Sequence, residues 1–424
     1  MDAIALETRL PDEDADVVVI GAGIIGLAAA HKLQSAGRSV TIIDRKGVAE
    51  ETSKGNAAAF AFSDILPLAS KGMLRKVPGW LLDPLGPLSI PPAYLLPILP
   101  WLIRFWRASW PDRTAGSIAA QSAMMRISAS EMAAMVEAVG LGDMIRHDGS
   151  LELYESEAEF AASQTGWRAR TEAGIAFEHV RGERLAELQP GLSSRVVAGT
   201  FVPQWQTVVE PYRFAQGVAR DVAQKGGRFV LSEVVRVAPE GDGARIELRD
   251  GTSLSARAVV IAAGAWARAL TTQLGDRVPL ETERGYNTTL PPGAFDLRLQ
   301  LISGAHGFVV TPLETGIRVG GAVELGGLDL PPNYARADAM LKKASLLMSG
   351  LKTEGGTQWM GFRPSLPDSL PAVGRSRASR NIVYAFGHGH LGLTQSAGTG
   401  RLVADLVCGR VPAIDLNPFS PQRF

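Results

Sequence analysis

The apolar residues of this chain gather in short β-branched runs that stop at glycine turns, separated by stretches with helical spacing. Val17-Val-Val-Ile20, between Asp16 and Gly21, has no polar break, which predicts a parallel strand buried on both faces. It enters Gly21-Ala-Gly23-Ile-Ile-Gly26 and then LAAAHKLQSAG, where Leu27, Ala30 and Leu33 recur at helical spacing. Gly37 ends that helix, and Ser39-Val-Thr-Ile-Ile43 predicts a second strand closing on Asp44. Glu210-Pro-Tyr212-Arg-Phe through Gly227 reads as a helix and Arg228-Phe-Val-Leu-Ser232 as a strand. Val234–Val237 and Arg245–Leu248 follow as strands about a polar hairpin. Ala258-Val-Val-Ile-Ala-Ala263 is another buried strand, entering Gly264-Ala-Trp266. The pattern returns near the C-terminus, where Asn381–Phe386 leads into Gly387-His388-Gly389-His390-Leu391-Gly392-Leu393-Thr394 and the helix SAGTGRLVADLVCG.

The first glycine cluster carries recognisable chemistry. Gly21 permits a tight turn, Gly23 lets backbone approach a pyrophosphate, and Gly26 allows close helix–strand packing. The helix N-terminus offers unpaired N–H groups and a partial positive charge to phosphates. Asp44, at the end of the second strand, can accept hydrogen bonds from a ribose diol. Strand, helix, second strand and terminal acid stand in the order that dinucleotide binding requires.

Composition narrows the setting. The 424 residues, 46% hydrophobic and 20% charged, suit a well-cored chain of two domains. Lys+Arg and Asp+Glu number 43 each, so no basic field draws the chain to nucleic acid. A single cysteine, Cys408, forms no intrachain disulfide and fits a reducing compartment. MDAIALETRLPDEDAD is acidic, lacks the features of a secretory signal, and reads as a short solvated arm. Pro84 to Ile103 is charge-free and apolar, but Pro84, Pro87, Pro91, Pro92, Pro97 and Pro100 argue against a membrane-spanning helix. Trp80–Trp110, rich in aromatics and carrying Arg104 and Arg107, reads either as an interfacial membrane contact or as a core segment covered by helices around Ile118 to Val139. His388 and His390 lack a third ligand at metal spacing, and no Gly-x-Ser-x-Gly elbow is present.

Taken together, these segments resemble the FAD-dependent amino-acid oxidoreductases of the D-amino-acid oxidase superfamily, particularly the D-amino-acid dehydrogenase small-subunit branch. The resemblance covers nearly the whole chain and is weakest between about Leu66 and Leu141. It implies an α/β fold: a Rossmann-like FAD-binding domain from 1–65, 207–275 and 364–424, with an interleaved substrate domain of mixed β-sheet and helices from 66–206 and 276–363. Ser53, Asn56 and Ala57 match the Ser/Asn-rich segment beside the flavin. Val234 matches a backbone contact to adenine, and Ala263, Gly264 and Trp266 match a turn close to the cofactor. Gly387, His388, Gly389, Leu391, Gly392, Leu393 and Thr394 match the segment that presents a helix N-terminus to the flavin. With Gly21, Gly23, Ile24, Ile25, Gly26, Asp44 and Arg45 they make up the expected cofactor site, holding FAD rather than NAD. Cys408 falls outside the flavin-facing segments, so non-covalent FAD is expected, with no metal.

An amino-acid substrate needs a clamp for its carboxylate. Gly361-Phe-Arg363-Pro resembles the family segment whose Arg pairs with that group, a bidentate match for a guanidinium. The alternative is an ion pair between Arg363 and Asp368. Tyr286, in Glu283-Arg284-Gly285-Tyr286-Asn287, and His306, before an apolar strand, are further candidates for the pocket. The resemblance implies oxidation of the Cα–N bond of a D-amino or imino acid, with Gly361–Leu370 similar to D-hydroxyproline dehydrogenases. Electrons would pass to a quinone or electron-transfer protein, at a cytoplasmic site peripheral to the inner face of the membrane. Two alternatives stand: an oxidase using O₂, and a flavin subunit that only relays electrons within a complex.

Overall fold

The computed structural model describes residues 4–10, 13–69 and 85–424. One sheet runs Arg228–Leu231, Val40–Asp44, Ala15–Ile20, Ser253–Ile261, Gly243–Leu248, Val234–Glu240. The first four strands are mutually parallel, and the end of Ser253–Ile261 also pairs in parallel with Ile382–Phe386. Ser253–Ile261 thus forks, its first half joining the antiparallel meander and its second half the parallel sheet. Val17, Val18 and Val19 are fully buried; Val17 and Val19 face one apolar cluster and Val18 and Ile20 the other. Two-sided burial is why this strand has no polar alternation.

The helices Ile24–Ser35 and Gly392–Val407 cover one face of this sheet. They touch backbone to backbone, because a Cβ on Gly400 would stand 2.5 Å from the Ala28 carbonyl oxygen. The helix Pro111–Val139 packs on the same layer, with Gly398 against Ser128 and Met124, Met132 and Met135 in the same core. It serves the dinucleotide layer and, among the described residues, shares no apolar cluster with Ile98 and Trp101, so it is not the cover expected for the Trp80–Trp110 segment; its small residues let Gly392–Val407 approach. The N-terminal arm is not simply solvated either. Glu7 exchanges backbone hydrogen bonds with Phe229 and Leu231 and extends the sheet edge.

The second sheet has nine strands, in the order Thr357–Ser365, Glu281–Leu290, Gly316–Glu324, Phe308–Leu313, Gln300–Ser303, Ser150–Tyr154, Ala198–Val202, Glu178–Val180, with Leu88–Ser89 beside Gly316–Glu324. The helix Ala335–Leu347 packs on one face, and the other faces the first sheet across a cavity. Between the two sheets runs the segment 55–58, and each of its carbonyls is held by a different strand. Asn287 Nδ2 donates to Gly55 O at 2.9 Å, Arg318 Nη1 to Asn56 O at 2.8 Å, and Thr311 Oγ1 to Ala57 O at 3.0 Å. Gln300 Nε2 reaches Ala58 O at 3.4 Å. Arg318 pairs across the sheet with Thr311, so the donors form a polar row transverse to the strands.

Thr311→Val keeps the shape but orphans Ala57 O. It should lower the unfolding free energy by about 1–2 kcal/mol in urea titration; an unchanged midpoint would show that the row does not bear on stability.

Candidate functional site

The two sheets enclose a cavity of about 1020 Å³. Of the expected cofactor set, Gly21, Gly23, Ile24, Ile25, Asp44, Arg45, Ser53, Asn56, Ala57, Val234, Ala263, Gly264 and Trp266 line it. So do His388, Gly389, Leu391, Gly392, Leu393 and Thr394. Gly26 and Gly387 stand behind the wall. Gly26 is needed there because its Cβ would fall 1.9 Å from Gly21 O, and Gly387 adopts φ +86° to turn the chain.

Two helix N-termini open on this cavity without a side-chain N-cap. One begins after Gly23, where a Cβ would press on Ser53 Oγ at 3.3 Å; that hydroxyl accepts the Ile24 N–H at 3.0 Å. The other begins at Gly392, and Thr394 Oγ1 ties it to strand Ala59–Phe60 by accepting from Ala61 N and donating to Ala59 O. Asp44 is held by backbone: Oδ2 accepts from Ala22 N, and Oδ1 from Lys46 N and Gly47 N. Its carboxylate thus fixes the glycine turn as well as bordering the cavity. Arg45 lies 3.9 Å over the Trp266 ring.

Arg363 borders the cavity from strand Thr357–Ser365. Its guanidinium lies across Gly285, where a Cβ would come within 2.4 Å of Cζ. Nη1 donates to Ala322 O at 3.0 Å and Nη2 to Gly321 O at 3.2 Å. Ala322 has φ +52°, and the irregular register between Arg284 and Tyr286 accompanies this bend, which turns both carbonyls toward the guanidinium. The alternative pairing with Asp368 does not occur, because Asp368 receives Arg423 bidentately at 2.6 and 2.9 Å. Glu283 sits opposite Arg363 in the sheet, but its carboxylate accepts from Ser365 Oγ. Among the described residues, no carboxylate lies within ion-pair distance of Arg363. Burial pulls its affinity for the proton down and Glu283 pulls it up; an arginine stays charged in either case.

Two expected pocket residues are differently placed. Tyr286 borders the cavity, but its hydroxyl donates to Glu324 Oε2 and accepts from Asn333 N at 3.0 Å. Burial pushes that phenol up to about 12. The hydroxyl belongs to a buried network with Arg284 and Glu324, on the side packed by helix Ala335–Leu347. His306 lies outside the cavity wall, hydrogen-bonded to Glu155 and stacked on Phe308. Sequence reading missed Arg318, a buried cavity-lining cation without local motif. It also missed Glu152, Arg170 and Asp64, which line the far end with His390.

These features suit a large anionic dinucleotide: two helix N-termini, buried cations, and glycines where side chains would intrude. His388 adds an orphan, since its Nδ1 has no partner while Nε2 meets Thr399 Oγ1 at 2.9 Å. The family match settles which dinucleotide: residues 16–406 match the family described as FAD dependent oxidoreductase (DAO). The chain belongs to that family. This FAD-dependent oxidoreductase is 34% identical over 419 residues to a protein of Bradyrhizobium diazoefficiens named D-amino-acid oxidase, covering 97% of this chain and 99% of the relative. It is 31% identical to a D-amino acid dehydrogenase of Sinorhizobium medicae, covering 96% and 99%. Its fold matches glycine oxidase from Geobacillus kaustophilus with a TM-score of 0.77 at 22% identity, over 96% of this chain and 98% of that one.

Burial lowers the His388 pKa from 6.5 to about 3, so the ring is neutral in the folded oxidoreductase. The unfolded chain binds a proton here below about pH 6.5 that the folded chain refuses, so stability is lost as pH falls from there toward about 3. The thermal midpoint should drop more steeply between about pH 7 and 5 in the wild type than in His388→Gln. Parallel curves would show that this ring does not set the slope.

Proposed function

We propose that this oxidoreductase oxidises the Cα–N bond of an amino or imino acid held by its carboxylate on Arg363. The observation that carries this reading is a guanidinium bordering the FAD cavity, anchored by two carbonyls and free of any acidic partner among the described residues. Its anchors fix orientation and leave the charge for a substrate carboxylate. Bound FAD supplies the two-electron acceptor. The protein's part is to hold the carboxylate, present Cα to the cofactor, and offer the Gly392 helix N-terminus to negative charge. The cavity-lining cofactor segments lie apart from Cys408, which supports non-covalent FAD.

The D-configuration of the substrate is supported by the names of the two curated relatives, and hydroxyproline by the Gly361–Leu370 resemblance. The electron acceptor is a quinone or electron-transfer protein reached at a membrane surface. The support is the helix Leu95–Ala108, which exposes Leu95, Leu96, Leu99 and Ile103 while Trp101, Leu102, Phe105 and Trp106 border the cavity. Residues 80–84 of that apolar segment lie outside the described residues. No helix among the described residues is long and apolar enough to cross a membrane, so the contact is peripheral. An O₂-using oxidase is the second reading, supported by the name of the Bradyrhizobium relative.

The deciding experiment mixes anaerobic protein with D- and L-amino acids, proline and hydroxyproline, and follows flavin bleaching. Arg363→Ala should raise KM about 10- to 100-fold while the oxidised spectrum is kept; unchanged KM would remove Arg363 from the substrate. Leu96→Glu with Ile103→Glu should abolish flotation with anionic liposomes. Fast reoxidation in air with peroxide release would favour the oxidase over the quinone-linked dehydrogenase.

A further inference from the structure

The far end of the cavity holds a charged group that the carboxylate clamp and cofactor segments do not use. Asp64, Glu152, Arg170 and His390 all border it. Asp64 is already engaged: Oδ2 meets His390 Nε2 at 3.1 Å and Oδ1 faces Arg170 Nη2 at 3.6 Å. Arg170 also donates from Nε to Ser63 O at 3.1 Å and rests 4.6 Å over the Trp167 ring. That leaves Glu152 without an ion pair among the described residues. Burial drives its carboxyl toward the neutral form, opposed by Arg170 and reinforced by Asp64 and Glu159. Two carboxylates thus share one permanent cation, and the one left over borders the cavity.

Strand register fixes where Glu152 lies relative to Arg363. Gly321, whose carbonyl holds Arg363, pairs with Phe308, and Phe308 pairs with Ser303. The neighbouring Ile302 pairs with Glu152. The anchor Gly321 and Glu152 therefore stand on nearly one line across the sheet, three strand spacings or about 14 Å apart at the backbone, and the Arg363 side chain reaches that anchor from two strands farther out. The floor between them is stripped of side chains at Gly320, Gly321, Gly307 and Gly304, all of which border the cavity. The Glu152 carboxylate leans over the last of these, since a Cβ on Gly304 would stand 3.6 Å from its Oε1.

We propose that Glu152 forms a cation subsite, which selects amino acids whose side chain ends in an ammonium or guanidinium when their carboxylate is on Arg363. The inference rests on the amine-oxidising reading above and adds the substrate class. The side chain crosses the glycine floor and its charge meets Glu152, which gains an ion-pair partner. A neutral chain of equal length fills the same trough but brings the carboxyl no cation.

D-Lysine and D-2-aminoheptanoic acid, alike in length and differing in the terminal charge, test this in anaerobic flavin reduction. The wild type should favour D-lysine over D-2-aminoheptanoic acid in kcat/KM by about 10- to 100-fold, as expected for one charged hydrogen bond. Glu152→Gln should collapse that ratio, and Glu152→Asp should restore part of it. A Glu152→Gln protein without bound flavin would move the test to the Asp variant, whose ratio must then fall between wild type and unity. Reduction by neutral amino acids with no lysine preference, or a preference that survives both substitutions, overturns the subsite and leaves amine oxidation standing. Flavin that no amino acid reduces overturns the amine-oxidising reading, and the subsite falls with it.

Discussion

A chain segment that must lie against a flat ligand has to be small, and small residues have little side chain with which to be held in place. Gly55, Ala57 and Ala58, with Asn56 between them, meet this constraint through their four carbonyls, which Asn287, Arg318, Thr311 and Gln300 hold from four strands of the opposite sheet. Each hydrogen bond contributes about 1 kcal/mol net, but the row acts together because its donors share one rigid sheet. It sets the separation of the two sheets, and through it the width of the cavity. Ser53, at the start of the segment, then places its hydroxyl on the Ile24 N–H, linking the row to the glycine turn.

Local signals were legible where one stretch of chain performs one task. The Gly21–Gly26 turn, the strands Ala15–Ile20 and Val40–Asp44, and the Gly387–Thr394 loop all announce themselves through spacing and two-sided burial. Arg363 was legible from its segment, but its freedom from Asp368 was not, because Arg423 lies 55 residues from Asp368 and no local pattern links them. Tyr286 and His306 show another limit. Alternation tells which residues share a strand face, but the bend at Ala322 and the pull of Glu324 and Glu155 decide where the polar ends go. Isolated charges such as Arg318 and Glu152 have no spacing signature at all; only the closing of the sheet brings them to the cavity.

The charge pattern of the cavity is unfavourable to the empty protein. Buried Arg318 donates to Asn56 O and Thr289 Oγ1, and half-buried Arg363 to two carbonyls, so each guanidinium is satisfied by dipoles without a neutralising carboxylate bonded to it. Buried charge without a counter-ion costs several kcal/mol. An anionic ligand offsets that cost, which couples the stability of the fold to occupancy of the cavity. His388 adds none of this burden, because its ring is uncharged.

The helix Ile24–Ser35 meets Gly392–Val407 so closely that Gly400 rests on the Ala28 carbonyl, although more than 350 residues separate the two elements. During synthesis the first strand and its helix emerge early, with the Ala28 face uncovered until the helix Gly392–Val407 leaves the ribosome. Folding must wait on contacts of high sequence separation, which is slow and exposes apolar surface meanwhile. The same joint that gives the dinucleotide turn its close packing therefore leaves apolar surface of the newborn chain open until late in synthesis, with the cofactor cradle among the last parts to close.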